Sequence, residues 1–104
     1  MADDARPLEE EARKGSKARQ FLDDPVFAES VRDVEEALLN GIKRSAFKDS
    51  DLREKLCQQY MLLHSVLDQL RTRIDTGKMA EEEIRQLTVR EKLKKAANYM
   101  RGIV

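Results

Sequence analysis

DLREKLCQQYMLLHSVLDQLRTRIDTGK, Asp51 to Lys78, decides the fold. Leu52, Leu56, Tyr60, Leu63, Leu67, Leu70 and Ile74 recur at four, four, three, four, three and four residues. That period keeps one side of an α-helix apolar. Thr76-Gly77 follows, and glycine there supplies a left-handed C-terminal stop, so the helix is expected to end at that pair. In the preceding KDSDLRE, Asp49, Ser50 and Asp51 all qualify as its N-cap, with Asp51 and Glu54 in capping-box spacing.

Working toward the N-terminus, Phe21 to Phe47 reads as a second amphipathic helix. It should start at Asp24-Pro25, where the carboxylate accepts from a free amide and proline costs nothing at the first helical position. Phe27, Val31, Val34, Leu38 and Ile42 then recur at four, three, four and four, on one side. Two such helices joined by a short polar turn form an antiparallel hairpin, placed at residues 24–77.

The flanks carry thinner stripes. Residues 1–23 are expected to form an N-terminal helical arm, with a helix over Pro7 to Leu22 in which Leu8, Ala12, Ala18 and Leu22 share a side and Gly15-Ser16 weakens the middle. Residues 78–104 should hold a short helix through Ala80, Ile84 and Leu87, then a break or bend near Thr88. A basic amphipathic helix carrying Val89, Leu93, Ala96, Ala97 and Met100 follows. The fold class is therefore all-α: a two-helix hairpin with flanking N-terminal and C-terminal helices.

Composition agrees. Charged residues make up 38% of the 104 and aromatics 5%, with no Trp, which suits long helices with solvated faces and leaves room for only a modest core. Twenty basic residues balance twenty acidic ones, so overall charge selects neither nucleic acid nor membrane. The acidic N-terminus has no apolar run of the signal-peptide kind, and no stretch is long and apolar enough to span a bilayer. A single cysteine, Cys57, cannot form an internal disulfide and fits a reducing compartment.

A lone hairpin covers one stripe on each helix, yet Cys57, Leu62 and Val66 lie outside the main seam. Large apolar side chains left in water forfeit roughly 1.5–3 kcal/mol each. Either the flanking helices fold back over the hairpin or copies associate; the flanking stripes are narrow, so association through Phe27, Val31, Val34, Leu38, Ile42, Leu56, Tyr60, Leu63, Leu67 and Leu70 is the expected remedy, giving a homo-oligomer.

Chemistry is thinly represented. Cys57, Met61, His64 and Asp68 step along one side of the long helix, and each type can bind metal, but Met and Cys more often fill gaps and a His with an Asp one turn away is usually a surface pair. Cys57 and His64 stand seven residues apart on one helix, roughly 10 Å along its axis, too far to act as nucleophile and base. No phosphate loop, paired-cysteine motif or zinc signature occurs. The expectation is a non-enzyme without cofactor or metal. Arg90, Lys92, Lys94, Lys95 and Arg101, with Tyr99 to stack on a base, form the one candidate nucleic-acid contact.

Most of residues 12–87 resembles a group of small helical proteins from tailed bacteriophages and prophages. The likeness rests on the Leu22-Asp23-Asp24-Pro25 entry, the long helix ending at a small polar turn, Asp51 with Arg53, Glu54 and Leu56, and Thr76-Gly77-Lys78-Met79-Ala80. It implies a helical fold and a phage setting, the host cytoplasm during infection with the virion left open, and it transfers no functional residue. The resulting expectation is a small oligomeric head, packaging or virion-associated component contacting phage structural proteins. Two alternatives stand beside it: a nucleic-acid-binding packaging accessory acting through the basic C-terminal helix, and an inhibitor or ligand sponge acting against a host defence.

Overall fold

The computed structural model describes residues 2–103, with side chains detailed for residues 6–102. All three elements are α-helices, and there is no strand among the described residues: α1 Ala2–Asp23, α2 Pro25–Arg44 and α3 Ser50–Ile103. The chain groups into two compact units, Lys17–Thr72 and Met1–Ser16 with Arg73–Val104.

Lys17–Thr72 contains all of α2. Asp24 is its N-cap, with Oδ1 accepting from the Val26 and Phe27 amides at 2.9 and 3.0 Å, and Pro25 follows in the first helical turn. The same residue separates α1 from α2, where the Phe21 and Phe27 rings meet edge to face at 6.1 Å. Asp24→Ala is expected to lower stability by about 1 kcal/mol, the usual value of such a cap, while Asp24→Asn loses much less. Urea titration followed by circular dichroism measures both.

At its far end α2 stops at Arg44, with Lys43 and Arg44 beside the negative end of the helix dipole. The Ser45 hydroxyl donates to Ile42 O at 2.6 Å, and the Arg53 guanidinium donates to Ser45 Oγ at 3.0 Å and to Ala46 O at 2.8 Å. Arg53 thus satisfies carbonyl and hydroxyl groups of the turn from the first turns of α3. From there the contacts run in antiparallel order: Arg53 with Ser45, Leu56 with Gly41, Tyr60 with Glu35. α3 begins at Ser50, so Asp51 is already inside the helix rather than its cap.

The other unit brings the first part of α1 against the later part of α3. A Cβ placed on Gly15 would lie 2.6 Å from the Arg73 carbonyl oxygen and 2.8 Å from Gly77 Cα; one on Gly77 would lie 2.9 Å from Gly15 Cα and 3.2 Å from Glu11 O. The two backbones therefore touch, nearer than the roughly 8–10 Å between axes that ordinary side chains impose. Both glycines are buried, as is Ala80, and Leu8, Ala12, Ile74, Ile84 and Leu87 flank them half-buried.

This corrects four expectations. Gly77 does not end a helix: no glycine among the described residues has a positive φ, and α3 runs unbroken through it for 54 residues. Its missing side chain serves the contact with Gly15, and Gly15 in turn is a contact residue rather than a weak point. Nor does the chain break near Thr88, whose hydroxyl donates to Ile84 O at 3.0 Å, a bond made inside a continuing helix. Finally, α1 starts well before Pro7; proline removes one amide from the ladder and the helix tolerates it.

Candidate interaction surface

The residues expected to form an oligomer face are mostly engaged within Lys17–Thr72. Leu67 is buried at 6% exposure; Phe27, Val31, Leu38, Ile42, Leu56, Tyr60, Leu63 and Leu70 are half-buried, and Val34 is 50% exposed. No side chain of α2 is fully buried. The stripe is therefore used, but thinly. Only Ala18 and Leu67 are buried hydrophobic residues in this unit, while Val26, Met61, Leu62, Val66 and Phe47 lie open.

Inside the α2–α3 contact sits a polar group that the periodicity did not single out. Glu35 follows Val31 by four residues and precedes Leu38 by three, so it shares the apolar side of α2. The Tyr60 hydroxyl donates to Glu35 Oε1 at 3.3 Å, and the Tyr60 and His64 rings stand 4.5 Å apart. His64 Nε2 lies 3.4 Å from the same Oε1, outside hydrogen-bond geometry, and is shielded from solvent without a hydrogen-bond partner among the described residues. One carboxylate oxygen thus faces two groups. A carboxylate on an apolar stripe was the available signal for this cluster.

Desolvation, and then the neighbouring Glu35 charge and its hydrogen bond, push the Tyr60 phenol above its ordinary range. The folded state consequently holds this proton at pH values where the unfolded chain has released it. Stability carried by Tyr60 is present below the ordinary tyrosine range, near pH 10, and is lost as pH rises beyond it. Tyr60→Phe should flatten that alkaline loss in thermal melts, an outcome that an unchanged slope would contradict.

The row Cys57, Met61, His64 and Asp68 is spread over different surroundings. His64 faces Glu35 and Tyr60, Asp68 pairs with Arg71 at 2.9 Å, and Cys57 is exposed. No group of three or more His, Cys, Asp or Glu able to hold a metal occurs among the described residues.

On the end of α3, every residue from Thr88 to Gly102 is exposed. Arg90, Lys92, Lys94, Lys95 and Arg101 make no salt bridge among the described residues, and Tyr99 is 72% exposed beside them. Val89, Leu93 and Met100 are 50%, 65% and 65% exposed on the same segment. It is helix without tertiary cover from the described residues. No helix of the described residues is long and apolar enough to cross a membrane.

The chain matches no protein-family model, and no curated protein or solved structure is detectably similar to it.

Proposed function

We propose that this chain is a non-enzymatic assembly protein that works by associating with copies of itself through apolar helix surface. The observation that carries the reading is the state of α2: a helix with a regular apolar stripe on which no residue is fully buried, beside an α3 that leaves Met61, Leu62 and Val66 in solvent. Side chains of this kind contribute their full 1.5–3 kcal/mol or so only when covered, and a second copy is the cover that every solution of the protein contains. Repeated copies also let weak contacts add up, the mode by which a small helical protein can act in a particle. The likeness to small tailed-phage proteins suggests the setting: a head, packaging or virion-associated component, acting in the host cytoplasm during infection.

Light scattering over a concentration series tests the reading. A mass rising above the 12.0 kDa of one chain supports it; a mass fixed at 12.0 kDa into the high-micromolar range removes it.

A second reading has its own observation. The exposed basic end of α3, unpaired with acids among the described residues and carrying Tyr99, suits contact with nucleic acid as a packaging accessory. It calls for binding to single-stranded or duplex DNA that weakens steeply with salt and drops at least tenfold in a Lys94→Glu/Lys95→Glu variant. Binding indifferent to both excludes it.

A further inference from the structure

α3 is one unbroken helix, yet its apolar side changes along its length. In the part that meets α1, the covered side carries Gly77, Ala80, Ile84 and Leu87, with Gly77 against the α1 backbone. From Thr88 onward the apolar residues are Val89, Leu93, Ala96, Ala97 and Met100. At about 100° per residue these five fall within one arc of about 100°, and the middle of that arc lies roughly 190° around the helix from the covered side. Glu91 and Asn98 continue the covered side instead. The arc therefore points away from α1, and all five of its residues are exposed.

The charges choose the occupant. Arg90, Lys94 and Arg101 line one margin of the arc, and Lys92 and Tyr99 line the other with Lys95 beyond them. The one acid between Thr88 and Gly102, Glu91, stands opposite the middle of the arc. Cations at both margins and an anion on the far side suit a flat, negatively charged apolar boundary. The arc enters it, the long basic side chains reach the headgroup charges, and the Tyr99 ring sits at the polar level. Phosphates of a nucleic acid would engage the cations and leave the arc in water. A pocket on a protein calls for a large anchor, and the arc contains no aromatic side chain. Upstream the face has an end: Glu82 lies on the same line as the middle of the arc, seven residues before Val89, with Glu81 and Glu83 beside it. Glu82 pairs with Arg85 at 2.7 Å, and the acidic triplet confines the face to residues 88–102.

We propose that residues 88–102 of α3 dock along the surface of an anionic lipid bilayer, with the Val89–Leu93–Ala96–Ala97–Met100 arc turned into it. The segment lies on the membrane rather than across it, since no helix of the described residues is long and apolar enough to span one. The proposal goes beyond the self-association reading and does not depend on it.

Co-sedimentation of the full chain with vesicles tests it. Binding to an equal mixture of phosphatidylglycerol and phosphatidylcholine should exceed binding to phosphatidylcholine alone by about tenfold or more, and should weaken with salt. A Leu93→Gln/Met100→Gln variant keeps every charge and removes the two largest members of the arc; both are 65% exposed, so its circular dichroism should be unchanged. Its binding to the mixed vesicles should fall about tenfold. Absent vesicle binding, or binding indifferent to this variant, overturns the proposal. DNA binding that the variant leaves intact, without vesicle binding, assigns the segment to nucleic acid instead. A light-scattering mass that drops in the variant, again without vesicle binding, assigns the arc to a second copy. Orientation has its own readout: in a Cys57→Ser background, a polarity-sensitive dye on Leu93→Cys should shift to the blue on mixed vesicles, and the same dye on Asn98→Cys should not. Equal shifts at the two positions also overturn the proposal.

Discussion

Gly15→Leu is expected to separate α1 from α3 in the unit that holds them, with a loss on the order of 3 kcal/mol in urea titration. Alanine is the more informative substitution because two effects oppose each other there. Within a helix, Gly→Ala normally stabilises by up to about 1 kcal/mol. At Gly15 the new Cβ would fall 2.6 Å from the Arg73 carbonyl oxygen and 2.8 Å from Gly77 Cα. These are backbone atoms that cannot rotate away, so overpacking of roughly 1–3 kcal/mol outweighs the propensity gain and the net sign is destabilising. Gly77→Ala should behave alike, its Cβ lying 2.9 Å from Gly15 Cα. Gly102→Ala provides the contrast, since nothing lies within 4 Å of its Cβ position, and it should be neutral or slightly stabilising. Stabilisation by alanine at Gly15 or Gly77 would mean that the backbones are not in contact.

Leu67→Ala is expected to cost about 2–5 kcal/mol, the range for truncating a buried leucine. The magnitude matters because Leu67 is the only large buried hydrophobic side chain among the described residues, the others being Ala18 and Ala80. Domains of this size are stable by only about 5–15 kcal/mol, so a single truncation removes a large fraction of the margin. Val66→Ala, one residue away at 52% exposure, changes the same helix with little loss of intramolecular packing and should cost well under half as much. Equal losses at the two positions would contradict the burial pattern.

Helix type and the start of α2 were legible in the sequence because each depends on neighbours in the chain. Asp24-Pro25 reads as a start from local hydrogen-bonding rules, and the four-three repeat from Leu52 to Ile74 reads as a helix face wherever it occurs. The role of Gly77 was not legible. A glycine after Thr76 suits a helix stop and a close backbone approach equally well, and what decides between them is Gly15, distant in sequence. The same holds for Thr88, which can cap a new helix or bond back to Ile84 within an existing one. Of the candidate surface, the apolar stripes and the basic C-terminal segment were readable as patterns. Their degree of cover was not: the half-burial of Phe27, Val31, Leu38 and Ile42 and the exposure of Arg90 to Arg101 depend on which helices lie nearby.

The absence of any fully buried side chain on α2 also has a bearing on motion. Helical amides exchange with solvent when the segment opens, and a segment held by half-buried contacts opens at low free energy, ahead of global unfolding. Amide hydrogen exchange along α2 should therefore be faster than around Leu67 in α3, with Asp24 and the Arg53 turn contacts as the fastenings at its two ends. α2 would then be the first cooperative segment to detach, exposing the seam side of α3 for brief intervals while the rest of the helix remains intact.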